Sequence, residues 1–211
     1  MTDGIRQAAS IILGRDAERG LEVLVVERAA SSRFLPGYVA FPGGSIDAED
    51  AWVAERWFGD LGEAGRAGVV RELVEECGLA VTGSGLLESS TLEPIEADPP
   101  EVRQLPEIAH WIAPEDVPVR FDARYYAAEA NLTAEPTPDL TETAAAWWAS
   151  PAALLRGWEQ KDRLLYWPTY FTMRALSECE KVGDLLSLWI DTREPDDHEL
   201  EWLHRSTFFQ D

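Results

Sequence analysis

With 211 residues, 45% of them hydrophobic and 27% charged, the chain has ordinary globular composition and can bury roughly 70% of the surface its unfolded form exposes, which excludes a disordered or staple-dependent scaffold. Lys+Arg 18 against Asp+Glu 39 gives a net charge of -21, which repels phosphate backbones and anionic lipid, so polymeric nucleic acid and membrane surfaces are poor partners. The cysteines, Cys77 and Cys179, are too few for a disulfide framework, and the short apolar stretch 8–13 fits neither a signal peptide nor a spanning helix, so a cytoplasmic protein is expected.

Residues 7–13 and 21–28 are apolar, β-branched-rich runs separated by Gly14, Arg15, Asp16 and Gly20, which predicts a hairpin with a loop of several residues. Pro36-Gly37 and Phe41-Pro42-Gly43-Gly44 then mark backbone that turns tightly or approaches something closely. From residue 63 to Cys77 the spacing is helical and stops at Gly78, followed by a strand over Leu79-Ala80-Val81. Residues 82–120 read mostly as loop with a short strand near Ala109-His110-Trp111-Ile112; 121–130 and 144–149 read as strands. Ser150 and Pro151 open a helix, and a long amphipathic helix is predicted after Pro168. Neither an internal repeat nor a flexible linker is visible, so a single α/β domain over 1–211 is expected.

At 100° per residue, Val70, Leu73, Val74 and Cys77 form one stripe of the helix ending at Cys77, while Glu72, Glu75 and Glu76 form a stripe on the opposite side. Like charges at this spacing are mildly unfavourable unless a cation sits among them, and hard divalent ions such as Mg²⁺ favour carboxylate oxygen. Arg71 can pair with Glu75 one turn on and hold that carboxylate in orientation. Cys77 projects into the apolar stripe and is expected to be a core thiol. His110, His198 and His204 show no zinc-ligand spacing with the cysteines.

The segment FPGGSIDAED followed by RELVEECGL resembles the Nudix box, G-x5-E-x7-REUxEExGU with U apolar, and the seven specified positions from Arg71 to Leu79 match. Two departures stand out. Six residues on from Gly44 lies Asp50 where the family has Glu, with Glu49 as the alternative, and twenty residues rather than seven separate Asp50 from Arg71. The insertion, within 51–70 and carrying Trp52, Trp57 and Phe58, is expected to loop out between turn and helix. The resemblance implies a Nudix-type α/β/α sandwich with a mixed central sheet, and a C-terminal helical extension over about 150–211. It also implies metal-dependent hydrolysis of a nucleoside diphosphate linked to another group. Mg²⁺ or Mn²⁺ would sit on Glu72, Glu75 and Glu76 with the Gly44 carbonyl as a further ligand, and either Glu76 or Glu142 would act as base.

Upstream, Arg28-Ala29, Arg33, Gly37 and the FPGG ending in Gly43-Gly44 match the signature R-[SA]-x3-R-x3-G-x3-FPGG of coenzyme A diphosphatases within that family, although its leading LLT portion is only approximated by Leu24-Val25-Val26. Arg28 and Arg33 are then expected to bind substrate phosphates as fork-shaped donors, the alternative being that they pair with Glu22, Glu27 or other surface acids. Trp111, Trp147 and Trp148 are candidates to stack on adenine. The expected substrate is coenzyme A or acyl-coenzyme A, giving 3',5'-ADP and 4'-phosphopantetheine. The alternatives are ADP-ribose, a nucleotide sugar or a dinucleoside polyphosphate as substrate, or a nucleotide-binding module without catalysis. Trp202, Phe208 and Phe209 near the end of the chain are compatible with a homodimer.

Overall fold

Apolar side chains alternate along the first two strands and bury the sheet on both faces. The computed structural model describes residues 4–113, 120–130 and 134–192. In it β1 (Arg6–Ala17) and β2 (Gly20–Arg28) pair antiparallel around a tight turn at Glu18-Arg19. The longer loop expected there is corrected. Arg15 and Asp16 stay in the ladder opposite Glu22 and Leu21, where Arg15 pairs with Glu22 across the strands at 2.9 Å. β3 (Tyr38–Ala40) adds to β2, and β4 (Gly43–Ser45) adds to β1.

The insertion does not loop out. It is helical, with α1 (Ala48–Phe58) ending on left-handed Gly59, a short 3-10 turn (Leu61–Glu63), and α2 (Ala64–Cys77) following at once. Asp47 and Asp50 form a reciprocal capping box that starts α1, and Ala54 and Trp57 bury one of its faces in the core beside α2. After α2 come a hairpin of β5 (Leu79–Thr82) and β6 (Gly85–Glu88), then α3 (Glu93–Ala97) and β7 (Glu107–Ile112). Within the stretch 82–120, the residues from 82 to 113 thus hold more elements than expected, each too short to show periodicity.

β8 (Phe121–Glu129) runs parallel to β1 and antiparallel to β7, and β9 (Thr143–Ala149) adds to β2. α4 (Pro151–Glu159) starts where the Ser150 hydroxyl accepts the Ala153 N–H, as the sequence predicts. β10 (Leu164–Leu165) runs parallel to β3. The long helix expected after Pro168 is two helices, α5 (Trp167–Leu176) and α6 (Val182–Leu186). The break has local causes: the Ser177 hydroxyl donates back to the Arg174 carbonyl at 2.7 Å, and the Val182 N–H that restarts the helix donates to the Asp16 carboxylate at 2.8 Å. Trp202, Phe208, Phe209, His198 and His204 lie outside the described residues.

The central sheet has the order β10-β3-β2-β1-β8-β7, with β4 also on β1 and β9 also on β2. Its period-2 pattern sorts side chains cleanly. Ile11, Leu13, Leu24, Val26 and Tyr126 face the core shared with α1 and α2, whereas Ile12, Val23, Val25, Tyr125 and Ala127 face the core shared with α4, α5 and α6. This is the expected α/β/α sandwich on a mixed sheet. Among the described residues no helix is long and apolar enough to cross a membrane.

Candidate active site

β4 brings the glycine pair against α2. Gly43 has φ of 150°, and a Cβ there would stand 2.2 Å from the Ala9 carbonyl oxygen and 2.7 Å from the Ser10 Cα, so only glycine lets β4 lie this close to β1. A Cβ on Gly44 would lie 2.4 Å from a carboxylate oxygen of Glu72. The two glycines therefore bring bare backbone up to the acidic side of α2. There the Gly43 N–H donates to Glu76 Oε2 at 3.0 Å.

The three glutamates of the stripe differ in exposure. Glu75 is exposed, Glu72 is half-buried, and Glu76 is buried beneath the glycine turn at 6% exposure. The helical wheel places Glu76 correctly relative to Glu72; what it misses is that β4 covers that part of the helix. Arg71 binds several carboxylates at once. It donates to Glu75 at 2.8 Å, to Glu72 at 3.0 Å and, in a fork, to both oxygens of Asp50 at 3.0 Å each, with Asp47 at 3.7 Å. The pairing with Glu75 is the one read from the sequence; the fork to Asp50 is not. Asp50 is 1% exposed and also accepts the Asp47 N–H, while Glu49 is exposed, so Asp50 is the early carboxylate that reaches the helix. Its side chain is one methylene shorter than glutamate, and the helical insertion delivers it to Arg71 all the same.

Burial raises the carboxyl pKa of Glu72, with Arg71 opposing and the charges of Glu75 and Glu142 adding to the rise. Burial pushes Glu76 up to about 8; the Gly43 hydrogen bond and Arg28 oppose this, and Glu72 and Glu142 reinforce it. Glu142, exposed beside β9, thus acts electrostatically on both Glu72 and Glu76. The donor set is hard carboxylate oxygen, desolvated at Glu76 and in part at Glu72, and fits a hard divalent cation in its chemistry. Among the described residues no group of three acidic, histidine or cysteine side chains forms a ready-made metal cage. Arg71 and the Gly43 N–H occupy oxygens that such an ion would use.

On the other side of β4 lies a cavity of about 310 Å³ bounded by Gly43, Gly44 and Ser45. Arg28 lines it, and its Nε donates to the Phe34 carbonyl at 2.9 Å. Arg28 thus lines the cavity, and its charge also acts on Glu76. Arg33 is exposed and does not line the cavity. The surface acids offered as alternative partners are engaged elsewhere, Glu22 by Arg15 and Glu27 by Arg163. Of the three candidate tryptophans only Trp111 reaches the cavity. Trp147 and Trp148 line a separate groove at the start of α4, where Arg163 and Arg15 sit over their rings. The sequence reading missed Phe34, Phe121, Tyr166 and Trp167 as cavity walls; their clustering arises from long-range pairing that a single sequence does not display. Cys77 is fully buried as expected, and burial pushes its thiol pKa up. His110 pairs with Asp122 rather than with any cysteine.

Comparison with known proteins places these features. The NUDIX domain family model matches residues 4–168. The chain is 29% identical over 209 residues to the Caenorhabditis elegans protein named "Putative nudix hydrolase 7", covering 88% of this chain and 67% of that one. Among solved structures, a NUDIX hydrolase from Alicyclobacillus acidocaldarius is 27% identical with a TM-score of 0.75, over 91% of this chain and 100% of that one. The NUDIX domain of Shewanella oneidensis NrtR, crystallised with ADP ribose, is 14% identical with a TM-score of 0.52, over 82% of this chain and 86% of that one, and shares the fold.

Proposed function

The chain belongs to the Nudix family of hydrolases, and we propose that it cleaves the diphosphate of coenzyme A or acyl-coenzyme A, releasing 3',5'-ADP and 4'-phosphopantetheine or its acyl form. The observation that carries this reading is the position of Arg28, the first arginine of the R-[SA]-x3-R-x3-G-x3-FPGG signature. It lines an apolar cavity, and its charge acts on the buried Glu76 of α2.

In this reading Glu72, Glu75 and Glu76, with the Gly44 carbonyl, hold Mg²⁺ or Mn²⁺. When bound, the ion supplies positive charge against the diphosphate and lowers the pKa of water. The chain's own groups do the rest. Arg28 binds a diphosphate oxygen through its guanidinium, and Arg33, exposed on the adjoining loop, takes the 3'-phosphate outside the cavity. Arg71 holds Glu72 and Glu75 in register through its anchorage on Asp50. Water oxygen bonds to phosphorus, the anhydride P–O bond breaks, and the proton of the attacking water passes to Glu76 or Glu142.

Incubating the purified chain with Mg²⁺ and a panel of coenzyme A, ADP-ribose, a nucleotide sugar and a dinucleoside polyphosphate, with detection by mass, tests the proposal. Coenzyme A is expected to give 3',5'-ADP at the highest kcat/KM. Preference for ADP-ribose, or no turnover of coenzyme A, overturns it.

A further inference from the structure

The turn that leads into β9 is tied down more firmly than its burial requires. Asp139, Leu140, Thr141 and Glu142 are all exposed, so they add almost nothing to either core. Yet the Asp139 carboxylate accepts the Glu142 N–H at 3.2 and 3.3 Å, the Thr143 N–H at 3.0 Å and the Thr141 hydroxyl. Leu140 is held at a φ of 64°, a left-handed conformation that costs a leucine free energy and persists only where its surroundings fix it. The carboxylate folds the turn back on itself and sets where Glu142 stands.

Both ends of this turn rest on the candidate site. On one side the Asp139 N–H donates to the Glu76 carbonyl at 3.3 Å and the Thr137 N–H to the Cys77 carbonyl at 2.7 Å, which satisfies acceptors that the C-terminus of α2 leaves open. On the other side the Glu142 carbonyl accepts the Ala29 N–H at 2.8 Å and the Ser32 hydroxyl at 3.4 Å, and Thr143 lies opposite Arg28 in the β2–β9 ladder. The turn therefore bridges the helix that carries the glutamates and the strand end that carries Arg28. Glu142 sits within the bridge, and its charge reaches Glu72 and Glu76 alike. Glu76 is buried and already accepts the Gly43 N–H, whereas Glu142 is exposed.

We propose that Asp139 is a positioning residue of the hydrolysis: it holds Glu142 beside the last turn of α2, and its effect on turnover passes through the Glu142 carboxylate. This selects Glu142 over Glu76 as acceptor of the proton that the attacking water gives up as its oxygen bonds to phosphorus and the anhydride P–O bond breaks. The inference rests on the hydrolysis described above, not on coenzyme A as its substrate.

A double-mutant cycle on the full chain with Mg²⁺ tests it, run on whichever substrate of the panel above the parent cleaves at the highest kcat/KM. Glu142→Gln is expected to lower kcat by about 10²-fold or more, as for loss of a general base, and Asp139→Ala by about 10- to 100-fold, as for a misplaced one. In the double variant Asp139→Ala is expected to add less than about twofold to the loss from Glu142→Gln, because residues that act as a unit are not additive. KM is expected to stay near the parent value, since Arg28 and Arg33 are untouched. Asp139→Asn, which keeps an acceptor oxygen for the same N–H groups, is expected to recover most of the loss. Asp139 is exposed, so its variants are expected to fold, and thermal melts verify this. Parent-like kcat in Glu142→Gln, losses that multiply in the double variant, Asp139→Asn as damaging as Asp139→Ala, or an Asp139→Ala defect confined to KM overturns the inference. A cycle that closes as expected on a substrate other than coenzyme A supports it and removes only the coenzyme A reading. Coenzyme A hydrolysis with multiplying losses does the reverse, and a parent that cleaves no member of the panel overturns both.

Discussion

Glu76→Gln separates the cost of burying this carboxylate from its use. Burial raises its pKa from an ordinary 4.5 to about 8, so between these values the folded chain binds a proton that the unfolded chain has released. Stability without metal therefore falls as pH rises through this window and levels off above it. The full pKa difference corresponds to an upper bound of about 5 kcal/mol. Reorientation of the ionised side chain toward water reduces the expected effect to about 2–3 kcal/mol, or about 5–10 °C in Tm for a chain of this size. Glutamine keeps an acceptor for the Gly43 N–H and never ionises. Thermal melts in EDTA from pH 5 to pH 9 are thus expected to show parent and Glu76→Gln melting together at pH 5, with the variant melting higher by that margin at pH 9. Mg²⁺ is expected to narrow the gap by stabilising the parent, and turnover of the variant is expected to fall by orders of magnitude. A parent Tm that rises relative to the variant between pH 6 and 9 would falsify the assignment of Glu76 as a desolvated carboxyl group.

Three further perturbations test the scaffold around it. Asp50→Asn removes one charge of a buried fork and leaves Arg71 with Glu72 and Glu75; a loss of about 2 kcal/mol in chemical denaturation is expected, with a matching drop in kcat. Gly43→Ala drives a Cβ into the backbone of β1 and is expected to cost about 3 kcal/mol or more, whereas Gly37→Ala, with φ of 76° but nothing within 4 Å, is expected to cost only about 1 kcal/mol; equal effects would remove the close-approach argument. Arg28→Ala is expected to lower kcat/KM by about 10- to 100-fold, as for loss of a charge-assisted phosphate contact, and Arg33→Ala by less.

Short-range signals were legible in the residues before any coordinates. The apolar stripe Val70, Leu73, Val74 and Cys77 located α2, Gly78 its end, and Ser150 the start of α4. The pairing of Arg71 with Glu75 follows from helical spacing alone. The insertion was misread because only Ala54 and Trp57 of α1 join Asp50 in the interior, leaving a weak apolar repeat. Its ends do carry signals, the Asp47–Asp50 box and Gly59, which outweigh that weak periodicity. Burial of Glu76 could not be read from its helix, because the covering group is the backbone of β4, more than thirty residues away. The aromatic recess is less legible still: Phe34, Trp111, Phe121 and Tyr166 meet only because β8 pairs parallel to β1 and α5 packs across that face.

The most direct test of the site is divalent-ion uptake followed by isothermal titration into the EDTA-treated and dialysed chain, with 3',5'-ADP present, for the parent and for Glu72→Gln and Glu75→Gln. Saturable binding of Mg²⁺ or Mn²⁺ by the parent, weakened at least about tenfold in each variant, is the expected result. No uptake by the parent, or uptake that neither substitution alters, would contradict the placement of the metal on α2.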